Sequence, residues 1–391
     1  MNAGILLLGL AYVLSQFYRA FLAVLSEILE RDIGATPDDL AFASGLWFVV
    51  FAACQIPIGA ALDSIGPRRT AAWLLLVGGA GGAAVFALAT APAHINIAMA
   101  LIGVGCAPVL MASYYIFARV YAPARFAVLA SLMVGVGSLG NLVASYPMAL
   151  AAEVLGWRNA LWSLSALTAL VALGTLLLVR DPARVEGESK GSLAALFRIR
   201  ALWFIFPLMG ASYAFPGAAR GLWIGPYMAD VFNADTARIG EASLLMGLAM
   251  VLGALVYGPA DRISPSRKWL IAGGSLLTLV AAMTLIALPA ANYGLSLAAL
   301  CAIGFFGATY PVIMAHGRSF LPPHLIGRGV TMLNLFSIGG VGIAQFFSGR
   351  VYRAALPAET VAAPYVAVFI LFTVALGLGF VIYLFSRDQE T

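Results

Sequence analysis

Charge is what this chain has least of. Only 10% of its 391 residues are Asp, Glu, Lys or Arg, where a soluble domain carries about a quarter. Cysteine is nearly as scarce. Cys54, Cys106 and Cys301 all lie in apolar runs without metal-ligand spacing, which excludes a disulfide framework and reads as reduced packing residues. The three histidines are scattered, and no HExxH, CxxC or GxSxG occurs. Zinc, thiol and serine-hydrolase chemistries are therefore excluded, and neither enzyme activity, a resident metal nor a cofactor is expected. Lys190 and Lys268 are the only lysines, the other basic residues being Arg; with abundant Ala and Gly this points to a GC-rich bacterial genome. No basic run marks a nucleic-acid surface, and the net charge of +5 is better explained by topology.

What the chain does have is hydrophobic length. Apolar residues make up 62% of it and mean hydropathy is +0.96. The apolar runs reach about 20 residues, the length needed to cross a hydrocarbon core of about 30 Å as a helix. Lipid cannot satisfy open backbone groups, so these runs are expected to be helices, and the alternation of a lipid-facing barrel strand is absent. The opening MNAGILLLGLAYVLSQFYRAF lacks the basic start and cleavage site of a signal peptide and reads as a retained first span. Twelve spans are expected, over 4–27, 41–62, 70–90, 95–118, 126–152, 159–179, 202–229, 239–260, 269–289, 293–316, 327–350 and 363–385. The polar stretch Arg180–Arg200, with Glu186, Glu188 and Lys190, divides them into bundles 1–180 and 201–391 joined by a linker, 181–200. Its end, SLAALFRIR, suits a short interfacial helix with Ser192 as N-cap.

With both termini inside, fifteen of the 22 basic residues fall in cytoplasmic segments, among them Arg68, Arg69, Arg119, Arg180 and Lys268, and five in external ones. That asymmetry is the positive-inside rule, so span count and orientation support each other. The densest polar island is GAALDSIGPRR, Gly59–Arg69. It has a damaged echo, GPADRISPSRK, in which Asp261, Pro265 and Arg267 each lie 198 positions after Asp63, Pro67 and Arg69. A rare feature repeated at half-length implies two copies of one unit.

Twelve helices in a 6+6 division, a central cytoplasmic linker and Gly59, Asp63, Gly66, Arg68 and Arg69 after the second span together resemble the major facilitator superfamily. The resemblance covers the whole chain. It implies an all-α membrane fold of two six-helix bundles with pseudo-two-fold symmetry, secondary transport by alternating access, and a monomer in a bacterial inner membrane. It also makes the Gly59–Arg69 loop a cytoplasmic latch, with Arg119, Asp261 and Arg267 as further gating candidates. The expected local physics is that Gly59 permits a close helix approach, Gly66 and Pro67 suit the reversal, and Asp63 pairs with Arg69 or Arg119 or faces a helix N-terminus. Two family patterns are missing. Met99 stands where many proton-coupled members carry an Arg in the fourth helix, and the fifth has Gly135, Gly137, Gly140 and Asn141 but no Gly-Pro pair. Both departures argue against a proton-driven multidrug exporter. His94 and His316 fall at span ends, so no midplane proton relay is visible.

Two basic residues remain, Arg19 and Arg220, inside the first and seventh spans and 201 positions apart. Tyr12 and Tyr213 share that offset. A charge at membrane depth costs roughly 3 kcal/mol on insertion scales, so each Arg needs a partner or a watery cavity. Tyr12, Gln16 and Arg19 fall at i, i+4 and i+7, with Glu27 extending the stripe, and Tyr213, Pro216 and Arg220 repeat the pattern. No acid at mid-membrane can neutralise both arginines, which suits them to fork an anion. The superfamily's organophosphate antiporters resemble this arrangement. The expected substrate is a small organic anion, carboxylate or phosphorylated, with Gln55, Tyr114, Asn141, Tyr310 and Asn334 as further contacts. The alternatives are an Arg19–Glu27 ion pair, an Arg220 snorkelling outward, and a proton-coupled exporter of neutral or hydrophobic compounds.

Overall fold

The computed structural model describes residues 3–121, 123–182, 193–322, 326–358 and 360–388, in backbone only at Asp63, Arg262 and some residues flanking 122, 192 and 325. Among them every regular element is a helix. Ten helices are long and apolar enough to cross a membrane, and Ala3–Phe17 with Leu22–Ile33 forms an eleventh span bent by 52°. Pro123–Val143 followed by Tyr146–Leu155 occupies the expected fifth span, so each of the twelve expected spans corresponds to helix. The chain is an all-α polytopic membrane protein.

Entry into the spans is encoded locally. Pro37, Pro67 and Pro92 open the second, third and fourth spans, where the missing N–H costs nothing and the fixed φ fits the helix. Before the second span, the Asp39 carboxylate accepts the Thr36 backbone N–H at 3.1 Å and its hydroxyl at 2.6 Å. The fourth and tenth spans lose helical continuity at 107–108 and 307–309, beside Pro108 and Pro311, a common cause of helix kinks, although Pro57, Pro207 and Pro259 lie inside continuous helices. Of the expected interfacial helix, Leu193–Arg198 is a short 3-10 stretch, its Phe197 carbonyl accepting the Trp203 indole at 2.9 Å; Ser192 and the linker charges lie outside the described residues.

Contacts divide the chain into two compact units, one built on the first six spans together with Asp235–Glu241, the other on the rest of the second half. Each uses the same device to bring its helices close. In the first, a Cβ at Gly140 would collide with the Val13 carbonyl, so the first and fifth spans cross backbone to backbone. In the second, a Cβ at Gly340 would collide with the Gly210 carbonyl, so the seventh and eleventh do the same. Small residues at such crossings permit the van der Waals contact that drives helix association in lipid.

Each unit also clasps its own third helix from the end of its last. In the first, Asp181 accepts the Arg68 backbone N–H at 2.7 Å and lies 3.7 Å from the Arg68 guanidinium. In the second, Asp388 accepts the Lys268 backbone N–H at 3.4 Å. Both carboxylates sit on helix N-termini, where unsatisfied amides and the helix dipole favour negative charge. Asp388 is steadied by His316, buried beneath it, whose ring bonds Tyr383 Oη at 2.7 Å and the Arg387 carbonyl at 3.1 Å.

Candidate functional site

The Gly59–Arg69 loop is a tight reversal whose pivot is Gly66. Its φ is +105°, a region open to glycine and costly for other residues. A Cβ there would also lie 3.0 Å from an Asp181 carboxylate oxygen, so the loop needs Gly66 for conformation and for room. The Asp63 side chain lies outside the described residues, and Arg69 is exposed. In the second unit the matching acid, Asp261, forks Arg267 at 2.7 and 3.3 Å. One expectation is corrected. Gly59 has no atom within 4 Å of its would-be Cβ, so it permits no close helix approach. The partner of Arg68 is Asp181, from the far end of the bundle. Arg119 stacks on the Tyr115 ring, its Cζ 4.3 Å from the centroid.

Arg19 occupies a break, not a helix. The first span stops being helical at 18–21, where Arg19 N–H bonds the Gln16 carbonyl and Ala20 N–H the Phe17 carbonyl, three residues back rather than four. The register of the stripe through Tyr12 and Gln16 therefore ends here, and Glu27 is exposed on the next helix rather than continuing the polar face. Tyr18 anchors the break through a buried 2.9 Å bond to Thr168, beside Phe17 stacked on Phe21, which in turn packs at a tilt on Phe86. Arg19 makes no ion pair among the described residues. Its guanidinium lies 5.3 Å from the ring centroids of both Trp47 and Phe51, one turn apart on the second span and stacked on each other at 5.0 Å. Cation–π contact of this kind retains a charge without discharging it. Three buried polar atoms there lack any hydrogen-bond partner: Arg19 Nε, Trp47 Nε1 and Gln16 Oε1.

Arg220 is also seated in an irregularity, the π-helical turn Ala219–Trp223, a geometry that recurs at functional sites. It is only 4% exposed, and its guanidinium lies flat on the eighth span, where a Cβ at Gly247 would come within 2.8 Å of Nε. The eleventh span holds this turn through Trp223 Nε1 donating to Ser348 at 2.9 Å.

The remaining candidates divide. Within the second unit Tyr310 donates to Asn334 at 2.8 Å and its ring lies 6.3 Å from Tyr213, so these three are brought together. Gln55 spends its amide on the Phe51 and Ala107 carbonyls, at 3.2 and 3.3 Å, tying the second span to the fourth. Tyr12 is buried against Gly137, where any side chain would strike its ring. Tyr114 and Asn141 are half-buried. Sequence reasoning misses Trp47, Phe51, Gly247 and Asp181. For Asp181 a signal exists, since Arg180-Asp181 recurs as Arg387-Asp388. For the aromatic pair none does.

Residues 8–344 match the sequence model of the Major Facilitator Superfamily. The chain is 23% identical over 367 residues to the sialic acid transporter NanX of Escherichia coli (strain K12), covering 87% of this chain and 85% of that one. Its fold is similar to the D-xylose–proton symporter, with a TM-score of 0.78 at 16% identity over 99% of this chain and 98% of that one. It is likewise similar to the nucleoside transporter NupG, at 0.73 and 16% over 99% and 100%. The chain belongs to the major facilitator superfamily, and is a multi-pass membrane transporter of a small substrate, not an enzyme.

Proposed function

We propose that this transporter carries a small organic anion, with Arg19 and Arg220 as the groups that bind it. The observation supporting the reading most is Arg19, a guanidinium in the break of the first span that is held by aromatic faces and meets no carboxylate among the described residues. A charge kept at membrane depth in that state recognises an opposite one. The likeness to a transporter whose name specifies an acidic sugar adds support. In this reading bundles 1–180 and 201–391 rock about the substrate by alternating access, the linker 181–200 joins them, and the Gly66–Arg69 and Asp261–Arg267 loops latch one state. The protein works as a monomer in a bacterial inner membrane with both termini in the cytoplasm, as its basic residues favour.

Proteoliposome counterflow tests it, with sialic acid, monocarboxylates, dicarboxylates and sugar phosphates set against xylose and a nucleoside. Exchange of an anion by the wild type is expected to fall about thirtyfold to several thousandfold in Arg19→Gln and Arg220→Gln, since stripping one partner from a desolvated charge pair costs roughly 2–5 kcal/mol. Anion exchange indifferent to both substitutions, or exchange of the neutral compounds alone, refutes the proposal.

A further inference from the structure

The three unpartnered atoms beside Arg19 differ in kind. Arg19 Nε and Trp47 Nε1 are donors, and Gln16 Oε1 is an acceptor. Trp47 is 0% exposed and Gln16 8%, so neither side chain faces bulk solvent. A buried polar group left unsatisfied costs roughly 1–3 kcal/mol, and three in one place ask for a common partner. Their residues are linked in the fold: the turn at 18–21 bonds Arg19 N–H to the Gln16 backbone carbonyl at 3.3 Å, and the Arg19 guanidinium lies 5.3 Å from the Trp47 ring centroid.

The faces of the aromatic pair are already used. Phe51 stacks on Trp47 at 5.0 Å and Phe48 packs edge-on at 4.8 Å. The Trp47 indole N–H, on the ring's edge, still has no acceptor among the described residues. A guanidinium resting on ring faces likewise keeps its edge donors. Two edge donors suit the two oxygens of a flat carboxylate. An acceptor next to them needs an O–H or N–H borne close to that carboxylate.

From these complementary atoms we infer that the first-unit site recognises an α-hydroxycarboxylate, one carboxylate oxygen on Arg19, the other on the Trp47 indole N–H, and the neighbouring hydroxyl donating to Gln16. This rests on the anion reading and narrows it. It makes Trp47 a binding residue and Phe51 the platform that orients Arg19.

The test is binding by the full-length protein in detergent, followed by ligand-induced rise in melting temperature. The probes are lactate, propionate (which lacks the hydroxyl), lactamide (which lacks the charge) and sialic acid, which carries a hydroxyl beside its carboxylate. The wild type is expected to prefer lactate to propionate by about tenfold, the worth of one hydrogen bond in a site built to satisfy it, and to ignore lactamide. Trp47→Phe, which keeps the ring, should weaken both acids about tenfold or more. Gln16→Leu should erase the preference for lactate while leaving propionate unchanged. Unliganded melting temperatures of the variants check that they fold. Equal binding of lactate and propionate, or no binding of any hydroxy acid, overturns the inference. Should Arg19→Gln abolish acid binding while Trp47→Phe and Gln16→Leu change nothing, only this inference fails. Should acids bind regardless of both Arg19 and Arg220, the anion reading fails with it.

Discussion

At the scale of single residues, Gly66 answers two demands at once, a positive φ and the proximity of Asp181. Gly66→Ala is expected to destabilise the protein by roughly 1–3 kcal/mol, the cost of a non-glycine residue held in such a conformation, read as a lowered melting temperature. Asp181→Asn removes a charged helix cap and should cost about 1 kcal/mol, less than the glycine change; the reverse order would show that the cap, not the backbone, governs the turn. Gly247 makes a subtler demand. A methyl there meets only the end of the Arg220 side chain, which can move aside. Gly247→Ala should therefore leave thermal stability nearly intact and reduce anion transport about ten- to hundredfold through a displaced guanidinium. An unaltered transport rate would detach Arg220 from the substrate. None of this is visible in the sequence around position 247, LLMGLAMVLGAL, because a glycine opposite an arginine and a glycine opposite lipid are written alike.

At the scale of elements, the spans were legible because lipid demands length and apolarity, both of which survive in a linear string. Their interruptions were legible only in part. Pro108 and Pro311 announce the breaks in the fourth and tenth spans, whereas Tyr18-Arg19-Ala20-Phe21 holds neither proline nor glycine and still ends a helix. The cause is tertiary: Tyr18 is drawn to Thr168 across the bundle and its aromatic neighbours pack with it, an override that local propensity does not record. Hence the helical spacing behind the stripe holds for Tyr12 and Gln16 only as far as the break, and its extension through Arg19 to Glu27 does not. The crossings at Gly140 and Gly340 lie 200 positions apart, the repeat offset again, but a chain with 41 glycines supplies many such pairs. Gly140→Val and Gly340→Val should each destabilise by roughly 1–3 kcal/mol or more through overpacking. Equal melting temperatures for variant and wild type would mean that the spans separate there without loss.

At the scale of the molecule, topology follows from where arginine is allowed. A fluorescent protein fused after Thr391 should glow in the cytoplasm, and a cysteine at Gly34, in the left-handed turn after the first span, should react with an impermeant maleimide added outside. The opposite labelling pattern would invert the protein. The twofold repeat was legible in the loops, since Asp63 and Arg69 recur as Asp261 and Arg267. It was not legible at the two candidate arginines, because the units do not treat them alike: Arg19 rests on aromatic rings at a break, whereas Arg220, in a π-turn, rests on Gly247 of the eighth span. Under the proposed anion reading, the repeat leaves the two arginines free to differ, as recognition of an asymmetric solute requires.

The paired clasps have a genetic implication. Asp181 and Asp388 fasten the last helix of each bundle to a helix of the same bundle, so the chain between residues 182 and 193 is not asked to hold either one closed. Two genes, one ending and the other beginning in that interval, should therefore complement each other when expressed together and restore transport to cells lacking the intact protein. Rescue that is lost on changing Asp181 or Asp388 to Asn in the divided protein, but kept with the same change in the unbroken one, would show that each clasp keeps its own bundle closed once the chain between them is cut.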